Sequence, residues 1–176
     1  RIARESGMLV LVHAEDGDEI EVLVGSAIAA GHGEPIWHAR TRPSRGEVLA
    51  GRRIIALAAD VEAPLYVVHV STAGLAEELQ CARECGKQVM GETCPQYLFF
   101  TEDHLMRPDG AKWVCSPPLR TPADNTALWQ ALGDGSIQTV GTDHCPFFYD
   151  GTTPINYGGR QVSIPERPIA RPPSAI

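Results

Sequence analysis

Three side chains in this sequence have the chemistry of metal ligands and occupy equivalent places. His13 follows the apolar run Met8-Leu9-Val10-Leu11-Val12, and His69 follows Leu65-Tyr66-Val67-Val68. Asp143 follows Ile137-Gln138-Thr139-Val140-Gly141-Thr142. Imidazole nitrogen and carboxylate oxygen are the ligand set for zinc and similar divalent ions. Taken singly, each residue has a plainer reading. A lone histidine after a strand is more often a buried side chain held by hydrogen bonds, and a lone aspartate more often a helix cap. Recurrence at three strand ends makes metal binding the preferred reading of the set.

Other polar residues near these positions admit two readings each. Glu15 and Asp16 can orient His13 from behind, or they are turn carboxylates. Ser71 can cap the next helix or contact a substrate, with the cap preferred. Ser116 precedes two prolines and is held extended, which suits a backbone contact to a ligand but also an ordinary loop. His144 stands beside Asp143 as a further ligand, an acid or a mere neighbour. His38 and Arg42 read as residues that hold their loop together, and His32 and His104 as solvent-facing.

The elements that must position these side chains alternate along the chain. Residues 8–13 read as a strand, and a helix begins near Asp18 with the apolar stripe Ile20, Leu23, Val24, Ala27 and Ile28. Gly31 and Gly33 end it. Residues 35–44 read as a loop, 46–60 as a second helix, and 65–70 as a strand. Thr72 or Ser71 caps a helix running to about Glu84, with Gly86 as its stop. Residues 87–92 form a third strand. A looser stretch, 93–118, holds a short helix near 102–106 and an extended piece at 112–115. A helix from about Pro122 through Leu128, Trp129 and Leu132 stops at Gly133 and Gly135, and 137–142 is the last strand. Short apolar strands buried on both faces and alternating with helices predict a parallel sheet in an α/β protein. Four such strands are half of an eight-stranded TIM-type barrel, a fold of about 250 residues whose chemistry lies at the C-terminal ends of its strands. Residues 151–176, with Thr152-Thr153-Pro154, Gly158-Gly159 and prolines from 165 to 173, show neither strand nor helix period and read as a loop and irregular tail.

Composition narrows the function classes. The chain has 176 residues, enough for one real core, and a formal charge of −7. That charge, with no basic patch, argues against a nucleic-acid partner. No apolar run approaches the ~18 residues of a membrane span, and no stretch has the signal-peptide pattern. The five cysteines are odd in number and scattered, without a CxxC pair. Free thiols and a cytoplasmic setting follow as the expectation. The chain begins without Met, and residues 1–6 look like the tail of a helix already under way, so an internal fragment is expected.

Five stretches, taken together and in order, carry a family resemblance over about residues 8–165. They are Val12-His13-Ala14-Glu15-Asp16-Gly17-Asp18, Tyr66-Val67-Val68-His69-Val70-Ser71, Gly91-Glu92-Thr93-Cys94-Pro95-Gln96-Tyr97-Leu98, Ser116-Pro117-Pro118-Leu119-Arg120 and Val140-Gly141-Thr142-Asp143-His144-Cys145-Pro146-Phe147. The sequence resembles the dihydropyrimidinase family, which includes the bacterial hydantoinases, within the amidohydrolase superfamily. The resemblance implies strands five to eight of the barrel over residues 1–150. It implies His13, His69 and Asp143 as the metal ligands ending strands five, six and eight, and Ser116 as the serine whose backbone holds the substrate. It further implies two Zn2+ ions per complete site, bridged by a carboxylated lysine. The expected reaction opens a dihydropyrimidine or hydantoin ring to an N-carbamoyl amino acid. A zinc-bridged hydroxide attacks a carbonyl, and Asp143 serves as general base and then general acid. The parent is expected to form homotetramers.

Departures from the family pattern shape the expectation. The sequence has no His-x-His pair and no lysine on a strand before His13, and the pattern breaks after Ile164-Pro165. The chain alone is therefore expected to be inactive. Allantoinase and dihydroorotase are the nearest rivals. They usually carry a histidine after the proline where this chain has Gln96-Tyr97, and dihydroorotases favour asparagine at the position of Ser116. A non-catalytic dihydropyrimidinase-like scaffold would lose ligands that are retained here. A decayed fragment with exposed strand edges is the last alternative.

Overall fold

The computed structural model describes residues 2–144, together with the backbone of 155–157 and 160–162. After a short helix α1 (Ile2–Ser6) the order is β1 (Val10–Val12), α2 (Gly17–Ala29), α3 (Ile36–Arg40) and α4 (Ser44–Asp60). Then come β2 (Leu65–Val67), α5 (Ala73–Glu84), β3 (Val89–Thr93) and α6 (Pro95–Phe99). Two 3-10 turns, Glu102–Met106 and Gly110–Trp113, precede α7 (Pro122–Asp134) and β4 (Thr139–Val140). The four strands form one parallel sheet in the order β1-β2-β3-β4, as the alternating pattern predicts.

Local chemistry explains the boundaries. Asp16 caps α2 by accepting the Glu19 N–H at 3.1 Å. Thr72 caps α5 through the Leu75 N–H. Thr121 and Asp124 form a reciprocal capping box on α7, with Pro122 in its first turn. Gly86 and Gly135 adopt φ of 74° and 81° where α5 and α7 end, a left-handed conformation that glycine alone adopts without penalty.

Two local expectations are corrected. Residues 35–44 contain α3, a single helical turn whose buried face carries His38 and Ala39. Of residues 112–115, expected to run extended, Lys112 and Trp113 close the 3-10 turn Gly110–Trp113, and the extended backbone begins only at Val114. In the stretch expected to be irregular, Ile155–Tyr157 and Arg160–Val162 pair antiparallel. The other residues of 145–176 lie outside the described set.

The sheet has two unlike faces. Leu65, Val67 and Val89 are 0–3% exposed beneath α4, α5 and α7, in a core with Leu75, Leu79, Leu128 and Ile137. The register Leu11–Tyr66–Met90 lies on the opposite face, and there Leu11 is 62% and Met90 36% exposed. The expectation of strands buried on both faces therefore fails for both edge strands and also for the inner strand β3, where Met90 is exposed. Among the described residues β1 and β4 have a neighbour on one side only, and Val10, Leu11 and Val140 are left exposed.

Gly110 is a close-approach position. A Cβ there would stand 2.3 Å from the Leu105 carbonyl oxygen, whereas one at Gly133, inside α7, meets nothing within 4 Å. Gly110→Ala is expected to lower stability by about 1–3 kcal/mol through overpacking, and Gly133→Ala to raise it by about 0.5–1 kcal/mol. Urea midpoints of the two variants check this contrast, which equal midpoints would refute.

Candidate metal centre

Strands β1 and β2 bring two of the predicted ligands into contact. His13 Nδ1 lies 3.0 Å from His69 Nε2, with the rings edge to face at 71°. The Glu15 carboxylate lies 3.1 Å from the other His13 nitrogen, Nε2. A carboxylate accepts, so His13 carries its proton on Nε2 and turns the Nδ1 lone pair toward His69. Glu15 is thus the residue that orients His13, whereas Asp16 is a helix cap.

The backbone at His69 makes this meeting geometrically available. Side chains alternate along a strand. His13 shares the face of Leu11, and alternation after Val67 and Val68 would send His69 to the helix-covered face with Val67. His69 instead has φ of 42°. That left-handed conformation is unusual for a residue with a Cβ, and it breaks the alternation so that the ring turns back to His13. Asp143 shows the same feature, with φ of 45° at the end of β4. Its carboxylate acts on His69 electrostatically, favouring the charged ring. Burial and the neighbouring His13 outweigh it and hold the His69 pKa below its ordinary value. His69 is therefore neutral at neutral pH, the form that donates a lone pair.

The donor set fits a divalent ion in part. Two nitrogens each about 2.0 Å from one ion stand roughly 3.3 Å apart at a tetrahedral angle, close to the separation seen here. Among the described residues, no group of three or more histidine, cysteine, aspartate or glutamate side chains converges as a set of ligands. Asp143 and His144 line a cavity of about 300 Å³ with Gln96, Phe100, Trp113 and Cys115. A larger cavity of about 510 Å³ lies at the opposite end of the strands, between Arg4, Glu62 and Lys87. Of the predicted ligands only Asp143 lines the smaller cavity; His13 and His69 are not among its lining residues.

Ser116 sits in a segment pinned from several sides. His38, fully buried, has Nε2 2.8 Å from the Cys115 carbonyl and 3.2 Å from Ser116 Oγ. The Tyr97 hydroxyl donates to the Pro117 carbonyl at 2.7 Å. Ser71 is neither cap nor substrate contact. It is fully buried, and its N–H donates to Glu47 Oε1 at 2.8 Å. Arg120 completes that cluster, donating from Nη2 to Glu47 Oε2 at 2.8 Å and from Nε to Ser71 Oγ at 3.0 Å. Sequence reasoning missed Glu47 and Arg120. The available signal was Glu47 in the stripe Glu47, Gly51, Ile55 and Ala58, which α4 buries on one side. His32, expected to face solvent, stacks on Trp37 at 3.7 Å, and His104 packs against Phe100 and Trp113.

With this geometry in hand, comparison with known proteins defines first the class. Solved structures similar to this chain are amidohydrolase barrel proteins. They include a dihydropyrimidinase from Brevibacillus agri, 52% identical with a TM-score of 0.82, covering 84% of this chain and 32% of that one. A dihydroorotase from Campylobacter jejuni, 18% identical with a TM-score of 0.61, shares the fold alone. A D-hydantoinase from Streptomyces coelicolor is 48% identical over 158 residues, 89% of this chain and 34% of its own length. The chain is a homologue of the D-hydantoinases and dihydropyrimidinases over most of its residues. It spans about one third of the length of the relatives it matches. No family model matches it, and no helix among the described residues is long and apolar enough to cross a membrane.

Two thiols lie close to this centre. Burial pushes Cys94 up to about 12 and Cys115 up to about 11. A thiol whose pKa is raised by folding binds its proton longer in the native than in the unfolded chain. Its stabilising contribution is complete below the ordinary thiol pKa near 9 and is lost as pH climbs from there toward 12. The melting temperature is expected to fall above pH 9, and less steeply in Cys94→Ala than in the parent chain. Parallel pH profiles of the two proteins would remove the thiol from the explanation.

Proposed function

We propose that this chain supplies the strand-five, strand-six and strand-eight part of a zinc site that hydrolyses cyclic amides, dihydropyrimidines or hydantoins, to N-carbamoyl amino acids. The observation that carries this reading is the 3.0 Å approach of His13 Nδ1 and His69 Nε2, with Glu15 behind His13. In a metal-loaded site His13 and His69 would hold one ion together, and Asp143 would be a ligand of the second. A zinc ion held there supplies Lewis acidity, acidifying water and polarising a carbonyl.

The residues of the chain do the rest. Asp143 removes the proton from the attacking water and returns it to the departing ring nitrogen. The backbone of Ser116 holds the substrate ring, and His38 fixes the preceding peptide through the Cys115 carbonyl. Glu15 keeps the His13 Nε2 proton in place and so keeps Nδ1 basic. After Pro95 this chain has Gln96-Tyr97 where allantoinases and dihydroorotases usually carry a histidine, which favours the hydantoinase reading over those rivals. The sequence contains no His-x-His pair and no lysine before His13. Turnover by this chain alone is therefore not expected.

Metal analysis of the purified chain tests this reading. Zinc near one equivalent is expected, reduced to background in both His13→Ala and His69→Ala, with no ring opening of dihydrouracil or hydantoin by the chain alone. A folded chain that takes up no zinc, or holds it equally well without either histidine, sinks the reading. Ring opening by the purified chain would overturn the inactivity.

A further inference from the structure

The residues that follow His69 are held more completely than any ligand function of their own requires. The Val70 N–H donates to the Glu92 carbonyl at 2.6 Å, and the Val70 carbonyl accepts from Thr93 Oγ1 at 2.7 Å. The Ser71 N–H and hydroxyl both go to the Glu47 carboxylate. Glu47 is 2% exposed and Arg120 5%, and Arg120 also donates from Nη1 to the Arg42 carbonyl. Before His69, the Val68 N–H donates to the Val12 carbonyl at 3.2 Å. The chain is thus fixed on both sides of one residue, and that residue is the one with φ of 42°. A left-handed conformation at a residue with a Cβ persists only where its surroundings over-determine it.

We propose that Glu47, locked by Arg120, is a positioning residue: by seizing Ser71 it imposes the left-handed backbone at His69 and so sets the His13–His69 pair at ligand spacing. The same Arg120 ends the segment that carries Ser116, so one buried ion pair couples the spacing of the metal-binding pair to the placement of the substrate-holding loop. Glu47 and Arg120 touch neither metal nor substrate in this scheme. They act through Ser71 and through the Arg42 carbonyl. The inference rests on the metal reading of the histidine pair only for its first readout.

Cobalt(II) is the probe, added to the full chain and followed by its visible d–d bands. Glu47→Gln and Glu47→Ala are expected to weaken Co2+ binding about 10–100-fold, the usual loss when a residue behind the ligands is removed. Ser71→Ala keeps its N–H to Glu47 and is expected to weaken binding less than either. Leu128→Ala, at a fully buried position in α7, is the control: it lowers the melting temperature but leaves Co2+ affinity unchanged. Glu47 variants that fold and bind Co2+ like the parent overturn the proposal, as does a Leu128→Ala that loses affinity in step with its stability. If the parent chain binds no Co2+, the metal reading fails and the second readout decides. Long-range 15N–1H spectra of the metal-free chain are expected to show the hydrogen-bonded His13–His69 pair in the parent and Leu128→Ala, and to lose it in Glu47→Ala. An unchanged pair in a folded Glu47→Ala refutes the positioning role on its own.

Discussion

Removing a carboxylate and a guanidinium from water costs several kcal/mol per ion, and their attraction offsets this only when the remaining lone pairs and protons are also satisfied. Glu47 and Arg120 meet that condition. Both Glu47 oxygens accept from Ser71, one of them also from Arg120, while the Arg120 guanidinium reaches Ser71 and the Arg42 carbonyl as well. Loss of one partner would leave the other charged and buried, typically at a cost of about 3–5 kcal/mol. A domain with about 5–15 kcal/mol of net stability has little room for that. Three segments distant in sequence are therefore locked together: the start of α4, the turn after β2, and the Ser-Pro-Pro-Leu-Arg stretch. The segment that follows His69 and the segment that carries Ser116 are therefore tied to this lock and not to the sheet alone.

The sheet divides its labour by face. The side beneath the helices is apolar and closely packed. On the other side the Tyr66 hydroxyl donates to Glu92 Oε2 at 2.8 Å and meets Thr139 Oγ1 at 2.5 Å, linking β2, β3 and β4 by polar contacts. Gly141 borders this group, since a Cβ there would stand 2.5 Å from the Glu92 carboxylate. A face that carries a hydrogen-bonded carboxylate in one layer and His13, His69 and Asp143 at its C-terminal end is built for polar chemistry. Exposed Leu11 and Met90 on the same face show why such a sheet ordinarily closes into a barrel: a parallel sheet needs both faces covered.

Much of this was legible in the sequence because strand and helix periods, caps and glycine stops are local signals. The four strands, the helices beginning at Gly17, Ser44, Ala73 and Pro122, and the stops at Gly86 and Gly135 follow from such signals. β1 and β4, which among the described residues pair on one side only, came out shorter than expected, and the inner strand β2 stops at Val67, short of the left-handed turn at His69. The juxtaposition of His13 with His69 was legible as recurrence at strand ends. The left-handed turn that completes it was not, since no glycine marks it. His69 adopts φ of 42° under tertiary constraint, where local propensity gives no hint. Glu47 was hidden by its type, as a charged residue on a helix reads as solvated until its place among Gly51, Ile55 and Ala58 is noticed. Asp16 and Glu15 were inseparable by sequence, and only geometry assigns one to the helix cap and the other to His13.

The same burial that threatens a charged group selects which donors this centre offers. An apolar environment disfavours the charged form of any group, so it moves acids and bases in opposite directions. Cys94 and Cys115 are pushed up to about 12 and about 11 and keep their protons. His69, in the same region, is pushed down and sheds its proton. At neutral pH the centre therefore presents bare imidazole nitrogen and protonated thiols. A thiolate would be the stronger and softer ligand, and would favour a closed structural zinc site or a soft metal. The geometry agrees with that sorting, since the close contact joins His13 to His69 and neither thiol takes part in it. The apolar wall thus separates the neutral imidazole of His69 from the protonated thiols around it.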